Sequence, residues 1–292
     1  MDPSGPVREA ARAKVNLALH IVGRRADGYH LLDSLVVFPT ISDHIEIAAR
    51  PDGHVTLSLS GPFSDALTAG PDNLVLKAAQ ALAAICSPHT PRGAIIALDK
   101  HLPVASGIGG GSADAAATLR ALCRLWGLSP GTEALRRIAG TLGADVPMCL
   151  DQTPVRAEGI GERLTPLPAL PAAGLLLVNP GVPVSTPAVF AALAARDNAP
   201  LPPLPNRFQD LEALAGYLGT TRNDLQAPAT ELAPQVAEVL AALGASDGCR
   251  LARMSGSGAT CFGLYPDAAR ARHAGAAIAR ARPGWWTAAG AI

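Results

Sequence analysis

The stretch PVASGIGGGSADAA, Pro103 to Ala116, sets four glycines and two serines between Ser106 and Ser112 and then turns abruptly to alanine. Glycine has no side chain to hold an anion's oxygens away from backbone N–H groups, and the first turn of a helix carries unpaired N–H groups with a partial positive charge. GIGGGS running into ADAAATLRAL supplies both. Ala115, Leu119, Leu122 and Trp126 fall at helical spacing, which predicts a helix over 113–126 with Ser112 as its N-cap. A flexible linker is usually polar on both flanks, whereas this stretch lies between the strand-like run Ala94 to Leu98 and an amphipathic helix, so anion binding is the favoured reading. The stretch has no GKS or GKT ending of a P-loop, and Ser112 stands where the dinucleotide fingerprint wants a third small residue for helix packing. No HRD or DFG accompanies it, which disfavours a protein kinase.

Working outward, KVNLALHIV, Lys14 to Val22, alternates Val15, Leu17, Leu19 and Ile21 with Lys14, Asn16, Ala18 and His20, the period of a half-buried strand with Lys14 and Asn16 on its polar face. The loop GRRADGYH follows, and segments near Leu35 to Phe38, His44 to Ala48 and Val55 to Leu59 predict an antiparallel sheet. Asn73 to Ile85 has helical period, and a second helix over 132–142 opens on Thr132 as N-cap. Periodicity breaks between Gln152 and Pro171, which places a domain boundary there and predicts domains 1–158 and 159–292. Beyond it we expect a strand at Leu175 to Val178 and helices near 187–195, 208–214 and 232–243. A strand, glycine turn and strand over 250–264, a helix over 267–281 and a closing strand near Trp285 complete a compact α+β half.

Composition narrows the classes. A chain of 292 residues exceeds the roughly 250 at which one core stops growing, so two domains are expected. Hydrophobic residues make up 49% and charged residues 16%, yet no run approaches the roughly 20 consecutive apolar residues that span a bilayer, which excludes a membrane-embedded protein. The start MDPSGPVREAARAK lacks the apolar block of a secretory signal, so the cytoplasm is the expected location. The five cysteines, Cys86, Cys123, Cys149, Cys249 and Cys261, have no metal spacing and read as reduced core thiols. Formal net charge is +0 and aromatics are 4%, which leaves neither a basic field nor a stacking platform for nucleic acid; an anionic ligand has to be captured locally. The lysines are only Lys14, Lys77 and Lys100, so one at the start of a strand draws attention.

PVASGIGGGSADAA resembles the second motif of the GHMP kinases, Pro-x-x-x-Gly-Leu-Gly-Ser/Gly-Ser-Ser/Ala, with Ile108 where Leu is usual. ARAKVNLALHIVGRRADGYHLL, Ala11 to Leu32, looks like the first motif of the member that phosphorylates a cytidine-diphosphate sugar alcohol in non-mevalonate isoprenoid synthesis. LGADVPMCL, PGVPVSTPAVF, RNDLQAP and RMSGSGATCFGLY are similar to that member's later segments, in the same order, so the resemblance runs from about residue 10 to 265. It implies a two-domain α+β fold: an N-terminal domain like ribosomal protein S5 domain 2, a ferredoxin-like C-terminal α/β sandwich, and an active site in the cleft between them.

The resemblance also implies roles. Pro103, Val104, Ala105, Ser106, Gly107, Ile108, Gly109, Gly110, Gly111, Ser112 and Ala113 would cradle the phosphates of ATP, with Asn73 and Lys100 at the adenine and ribose end. Taken alone, Asn73 reads as a helix cap and Lys100 as a solvated strand end. Asp145 would be the general base; its neighbours Val146, Pro147 and Met148 are an apolar setting that raises a lone carboxylate's pKa, although an arbitrary Asp-x-Pro reads as a turn or N-cap. Lys14 would pair with it and stabilise the transferring charge, where a lone lysine would simply reach solvent. Asn16 would orient the substrate, Tyr29 and Phe190 stack on cytosine, His30 hydrogen-bond it, and Thr186 join the substrate site. Ser255 to Gly258, SGSG, reads either as an approach to the phosphates or their loop, or as an ordinary glycine hairpin. Magnesium should accompany ATP, with Ser112 its one candidate protein ligand. The expected partner is the small-molecule substrate, with no nucleic acid and no membrane, for a monomer or weak homodimer. Another GHMP-type kinase, or a non-catalytic nucleotide-binding protein, remains the alternative.

Overall fold

The alternation in KVNLALHIV does make a strand, and its surroundings are the first departure from expectation. The computed structural model describes residues 5–86 and 92–292. In chain order it has β1 Val7–Arg12, β2 Val15–Arg24, β3 His30–Val37, β4 Ser42–Arg50 and β5 Val55–Ser60, then α1 Leu74–Ala83 and β6 Gly93–Asp99. Next come α2 Gly110–Leu125, α3 Thr132–Leu142, α4 Val146–Asp151, β7 Val155–Gly159, β8 Arg163–Pro166 and β9 Gly174–Asn179. The chain closes with α5 Thr186–Ala191, α6 Leu211–Gly219, α7 Gln226–Leu232, α8 Gln235–Gly244, β10 Leu251–Met254, β11 Cys261–Tyr265, α9 Ala268–Ala281 and β12 Trp286–Ala291.

Two compact units emerge, and they are not consecutive in sequence. One takes the chain up to Ala13, Ser42–Val104 and Gly109–Gln152; the other takes Lys14–Ile41, Ala105–Ile108 and Thr153–Ile292. The reason is strand pairing: β3 pairs with both β2 and β7, which ties the first long hairpin to the C-terminal part of the chain.

The first unit is a sheet of order β1-β4-β6-β5 covered by helices. Only the β5–β6 pair is parallel. Ile45, Ile47, Ile96 and Leu98 on β4 and β6 are buried, and α2 lies on β1 and β4 beside α1 and α4. Ala115, Ala116, Ala117 and Ala121 are all 0% exposed, so α2 packs on every side at once; small side chains permit that close approach. Burying so much of a helix fixes where its N-terminus points.

The second unit has two antiparallel four-stranded sheets, β2-β3-β7-β8 and β10-β11-β9-β12. Its core joins Leu19 and Ile21 of β2, Leu176 and Val178 of β9, Val236, Val239 and Leu243 of α8, and Ala271, Ala274 and Ile278 of α9. β2 is not half-buried as its alternation predicts. Lys14, Asn16 and His20 are 8%, 4% and 1% exposed, and the segment Arg222–Asp224 pairs with the free edge of the strand beside Leu19. Leu19 N–H donates to Arg222 O at 2.9 Å, Asp224 N–H donates to Leu19 O at 2.9 Å, and His20 lies between Ala199 O and Arg222 N. Arg253, 7% exposed, braces this layer by donating to Leu17 O, Leu218 O, Thr221 O and Thr221 Oγ1; burial lowers its pKa to about 10.

Several sequence-based boundaries shift. α2 begins at Gly110, and its N-cap is Gly109 at φ 64°, so Ser112 sits in the first turn and does not cap. A left-handed residue is needed there, and glycine takes it without strain. Likewise Gly131 caps α3 and Thr132 is its first helical residue. The aperiodic region 152–171 contains the β7–β8 hairpin, with Val155 opposite Pro166. Asp210 caps α6, which runs later than expected, and the helix expected over 232–243 is preceded by a separate α7. The cysteines are free; Cys149 and Cys261 are buried, while Cys86, Cys123 and Cys249 are only partly so. Among the described residues no helix is long and apolar enough to cross a membrane.

Candidate active site

The glycine loop is built from both of its ends. In the second unit, Ile108 O accepts from Lys14 N–H at 2.8 Å and Ser106 O from Thr260 N–H at 3.2 Å. Gly107 O accepts from Ser255 Oγ at 3.1 Å, and Ser255 Oγ accepts in turn from Asn16 N–H at 3.1 Å. Gly107 has φ +79°, and a Cβ there would lie 2.6 Å from Ser255 O. The SGSG turn therefore carries the loop from beneath, and of the two sequence readings the one that ties it to the loop is realised. Ala105 is also left-handed, at φ 50°.

In the first unit the loop leads into α2, whose N-cap Gly109 contributes no side-chain cap bond. The opening N–H groups of Gly110, Gly111 and Ser112 are thus left without a capping side chain, which is the arrangement an anion completes. Pro103 and Ile108 are buried and Val104 is 38% exposed, so the loop alternates anchors with accessible backbone.

Lys100 corrects the sequence reading. It is not a solvated strand end: at 2% exposure its Nζ donates at 2.6 Å to Asp43 Oδ2 and at 2.6 Å to Asp114 Oδ2. Asp43 Oδ1 also accepts from the backbone N–H groups of His101 and Leu102 at 2.6 and 2.7 Å. A Cβ on Gly110 would come within 3.1 Å of Nζ, so the ammonium lies directly under the first turn of α2. Asp43 and Lys100 hold the entry to the loop and Asp114 the helix beyond it, so one cation joins both flanks. Burial pulls the Lys100 ammonium down, and Asp114 and Asp43 more than offset it, leaving its pKa above the ordinary value. Burial pushes the Asp114 carboxyl up to about 7, against the pull of Lys100, and its Oδ1 is buried with no hydrogen-bond partner.

Asn73 is the cap of α1: its Oδ1 accepts from Val75 N–H at 3.0 Å and its Nδ2 donates to Thr68 O at 3.0 Å. Of the two readings of this residue, the cap is the one its contacts form.

Tyr29, His30, Thr186 and Phe190, drawn from two distant motifs, come together around one cavity of about 690 Å³ within the second unit. The loop after β2 supplies Tyr29 and the start of β3 supplies His30, while α5, capped by Ser185 with Pro187 in its first turn, supplies the second pair. The His30 and Phe190 rings stack at 4.8 Å and 27°, while Tyr29 is 62% exposed. One face of the Phe190 ring is therefore covered by His30. Burial, then Arg24 and Arg196, lowers the His30 pKa, which keeps the ring neutral near pH 7, and its Nε2 is buried without a partner. Thr186 Oγ1 lies 2.7 Å from Ser257 Oγ, linking the cavity's edge to the turn beneath the glycine loop.

Asn16 donates to Ser34 Oγ at 2.7 Å, and its Oδ1 is a buried acceptor without a hydrogen-bond partner. Lys14, just before β2, belongs to the second unit; Asp145, just before α4, belongs to the first. Asp145 stands at the N-cap position of α4 but forms no side-chain cap bond, so its position does not reduce to helix capping. Its neighbours Val146, Met148, Cys149 and Leu150 are buried, as the apolar run GADVPMCL implies. Sequence reasoning missed Asp43, Asp114, Arg24 and Arg196; Asp114, inside the glycine motif, and Arg24, inside GRRADGYH, carried a signal.

Comparison with known proteins agrees with this geometry. Residues 73–153 match the GHMP kinases N terminal domain and residues 189–283 the GHMP kinases C terminal domain. A Paracoccus denitrificans protein named 4-diphosphocytidyl-2-C-methyl-D-erythritol kinase is 57% identical over 286 residues, 98% of this chain and 96% of its own length. A crystal structure of 4-(cytidine 5'-diphospho)-2C-methyl-D-erythritol kinase superposes with a TM-score of 0.79 at 35% identity, covering 97% of this chain and 98% of that one. Homoserine kinase from Cytophaga hutchinsonii shares the fold, with a TM-score of 0.69 at 17% identity over 99% of this chain and 96% of its own. The fold is thus the two-domain α+β fold of the GHMP kinases, and the chain belongs to that superfamily and, within it, to the 4-diphosphocytidyl-2-C-methyl-D-erythritol kinases.

Proposed function

We infer that the chain transfers the γ-phosphoryl group of ATP to the 2-hydroxyl of 4-diphosphocytidyl-2-C-methyl-D-erythritol, giving the 2-phosphate and ADP in the non-mevalonate route to isoprenoid precursors. The observation that carries this reading is the meeting of Tyr29, His30, Thr186 and Phe190 around one cavity, in a chain with only 4% aromatic residues. A GHMP kinase for an uncharged sugar, homoserine or a mevalonate-type acid has no use for aromatic side chains set out for a nucleobase.

The residues present fit ATP. The loop from Pro103 to Ala113 offers a helix start that no side chain caps, and Gly107 seats the loop on the Ser255–Gly258 turn where a side chain would have no room. ATP with Mg2+ supplies the transferable phosphoryl group and the charge neutralisation that such transfer requires. Among the described residues no group of three His, Cys, Asp or Glu is placed to hold a metal, so we assign magnesium to the phosphates, with the Ser112 hydroxyl the one candidate protein ligand.

Asp145 takes the proton of the 2-hydroxyl. Lys14 supplies the positive charge that partners this carboxylate and offsets charge on the transferred group. Asn16, through its open Oδ1, orients the acceptor, and Tyr29, His30, Thr186 and Phe190 hold its cytidine end. In chain order we keep the boundary between the two family domains at 158/159, inside the interval that neither domain match covers. A formal net charge of +0 supports the absence of a nucleic-acid partner, and the reading keeps the small-molecule substrate as partner, no membrane, the cytoplasm as location and a monomer or weak homodimer as the state.

A coupled ADP-release assay over a panel of alcohols tests the reading. ADP should appear selectively with the cytidine compound, and equal rates with galactose, homoserine or mevalonate would remove it.

A further inference from the structure

Besides the residues with assigned roles, the aromatic cavity is lined by two arginines, Arg24 and Arg196. Arg24 Nε donates to Gly28 O at 3.1 Å, and Arg196 Nη2 reaches Ala191 O at 3.4 Å. Among the described residues neither guanidinium is paired with a carboxylate. The acid that shares the cavity wall, Asp27, is bridged to Arg25 at 2.7 Å and is neutralised there. Both guanidiniums lie close enough to His30 to disfavour its protonation, so near neutral pH the positive charge of this cavity comes from the arginines alone.

A flat ring face and two uncommitted planar cations in one cavity match a ligand that is itself a flat ring joined to an anion. Arginine suits phosphate because its fork of N–H donors matches two oxygens at once. We propose that Arg24 and Arg196 are specificity residues that read the diphosphate of the acceptor, so that the cavity selects a cytidine diphosphate over cytidine. The proposal rests on the base-binding reading given above and adds a charge reader to it.

Neither arginine is buried, so each is worth about two- to fivefold in affinity, and the effect is screened by salt. The test is calorimetric titration of the whole protein with cytidine and with CDP, keeping a non-hydrolysable ATP analogue at saturation so that the phosphate loop is occupied. CDP should bind about tenfold more tightly than cytidine at low salt. That advantage should shrink with added salt, fall to near unity in Arg24→Gln/Arg196→Gln, and return in part in Arg24→Lys/Arg196→Lys. The KM for the cytidine substrate should rise in the Gln variant while the KM for ATP stays unchanged. An equal affinity for CDP and cytidine in the parent protein, or a CDP advantage that survives in the Gln variant, overturns the proposal. Failure of cytidine itself to bind would instead strike the base-binding reading.

Discussion

Replacing Lys100 with methionine removes one ammonium from a site where both partners are nearly inaccessible, their side chains 0% and 4% exposed. Asp43 keeps its two backbone donors at 2.6 and 2.7 Å. Asp114 keeps none, because its Oδ1 already has no partner and its Oδ2 loses Nζ. Deleting one member of a buried ion pair costs about 3 to 5 kcal/mol, most of it for the charge left behind. That cost depends on pH in a definite direction. Burial has pushed Asp114 from 3.8 up to about 7, so the folded chain holds a proton that the unfolded chain has released, and stability falls as pH rises through the folded pKa. Without Lys100 to oppose burial the carboxyl shifts further up. Lys100→Met should therefore lose more stability at pH 8 than at pH 5.5. Adding Asp114→Leu, which removes the stranded carboxylate at similar volume, should return half or more of the loss at pH 8. Urea unfolding at both pH values measures the free energies, and amide exchange over Gly110–Leu125 locates them, since α2 should open first. Equal penalties at the two pH values, or a double variant weaker than Lys100→Met, would refute the reasoning.

Three further outcomes follow from the site. Asp145→Asn should lower turnover about a hundredfold or more while calorimetric ATP binding persists, and unchanged turnover would remove Asp145 from the mechanism. Gly107→Ala places a Cβ 2.6 Å from Ser255 O at φ +79°, a strain of about 1 to 3 kcal/mol. Its ATP affinity should fall roughly tenfold with cytidine binding intact, and an unaltered ATP Kd would mean that this loop does not cradle the phosphates. Tyr29→Ala should raise the KM for the cytidine substrate by about fivefold or more at constant ATP KM, whereas a change confined to ATP would show the two ends of the site to be exchanged.

What could be read from sequence was chemistry written in consecutive residues. The glycine loop before a helix, the strand through Asn16 and the helix start in STPAVF are local patterns, and each forms the kind of element its pattern announces. What could not be read depends on distant partners. Lys100 looked like a strand end because its partner Asp43 lies 57 positions away and Asp114 lies 14 positions away on a helix still to come. Ser112 looked like an N-cap because serine caps well, while the helix starts earlier on a left-handed glycine, a choice made by close packing of α2. β1, VREAAR, has no alternation to announce it and forms because β4 offers a complementary edge. The two cavity arginines lie in polar stretches that read as solvated loop until the fold sets them beside Phe190.

The central claim is a phosphoryl transfer to one hydroxyl, and the direct measurement is phosphorus NMR of the reaction of purified protein with ATP, Mg2+ and 4-diphosphocytidyl-2-C-methyl-D-erythritol. One new phosphomonoester on the 2-oxygen should form for each ADP released, with the cytidine diphosphate linkage intact. ADP formation without a new phosphoester, or phosphate on a different oxygen, would contradict the account.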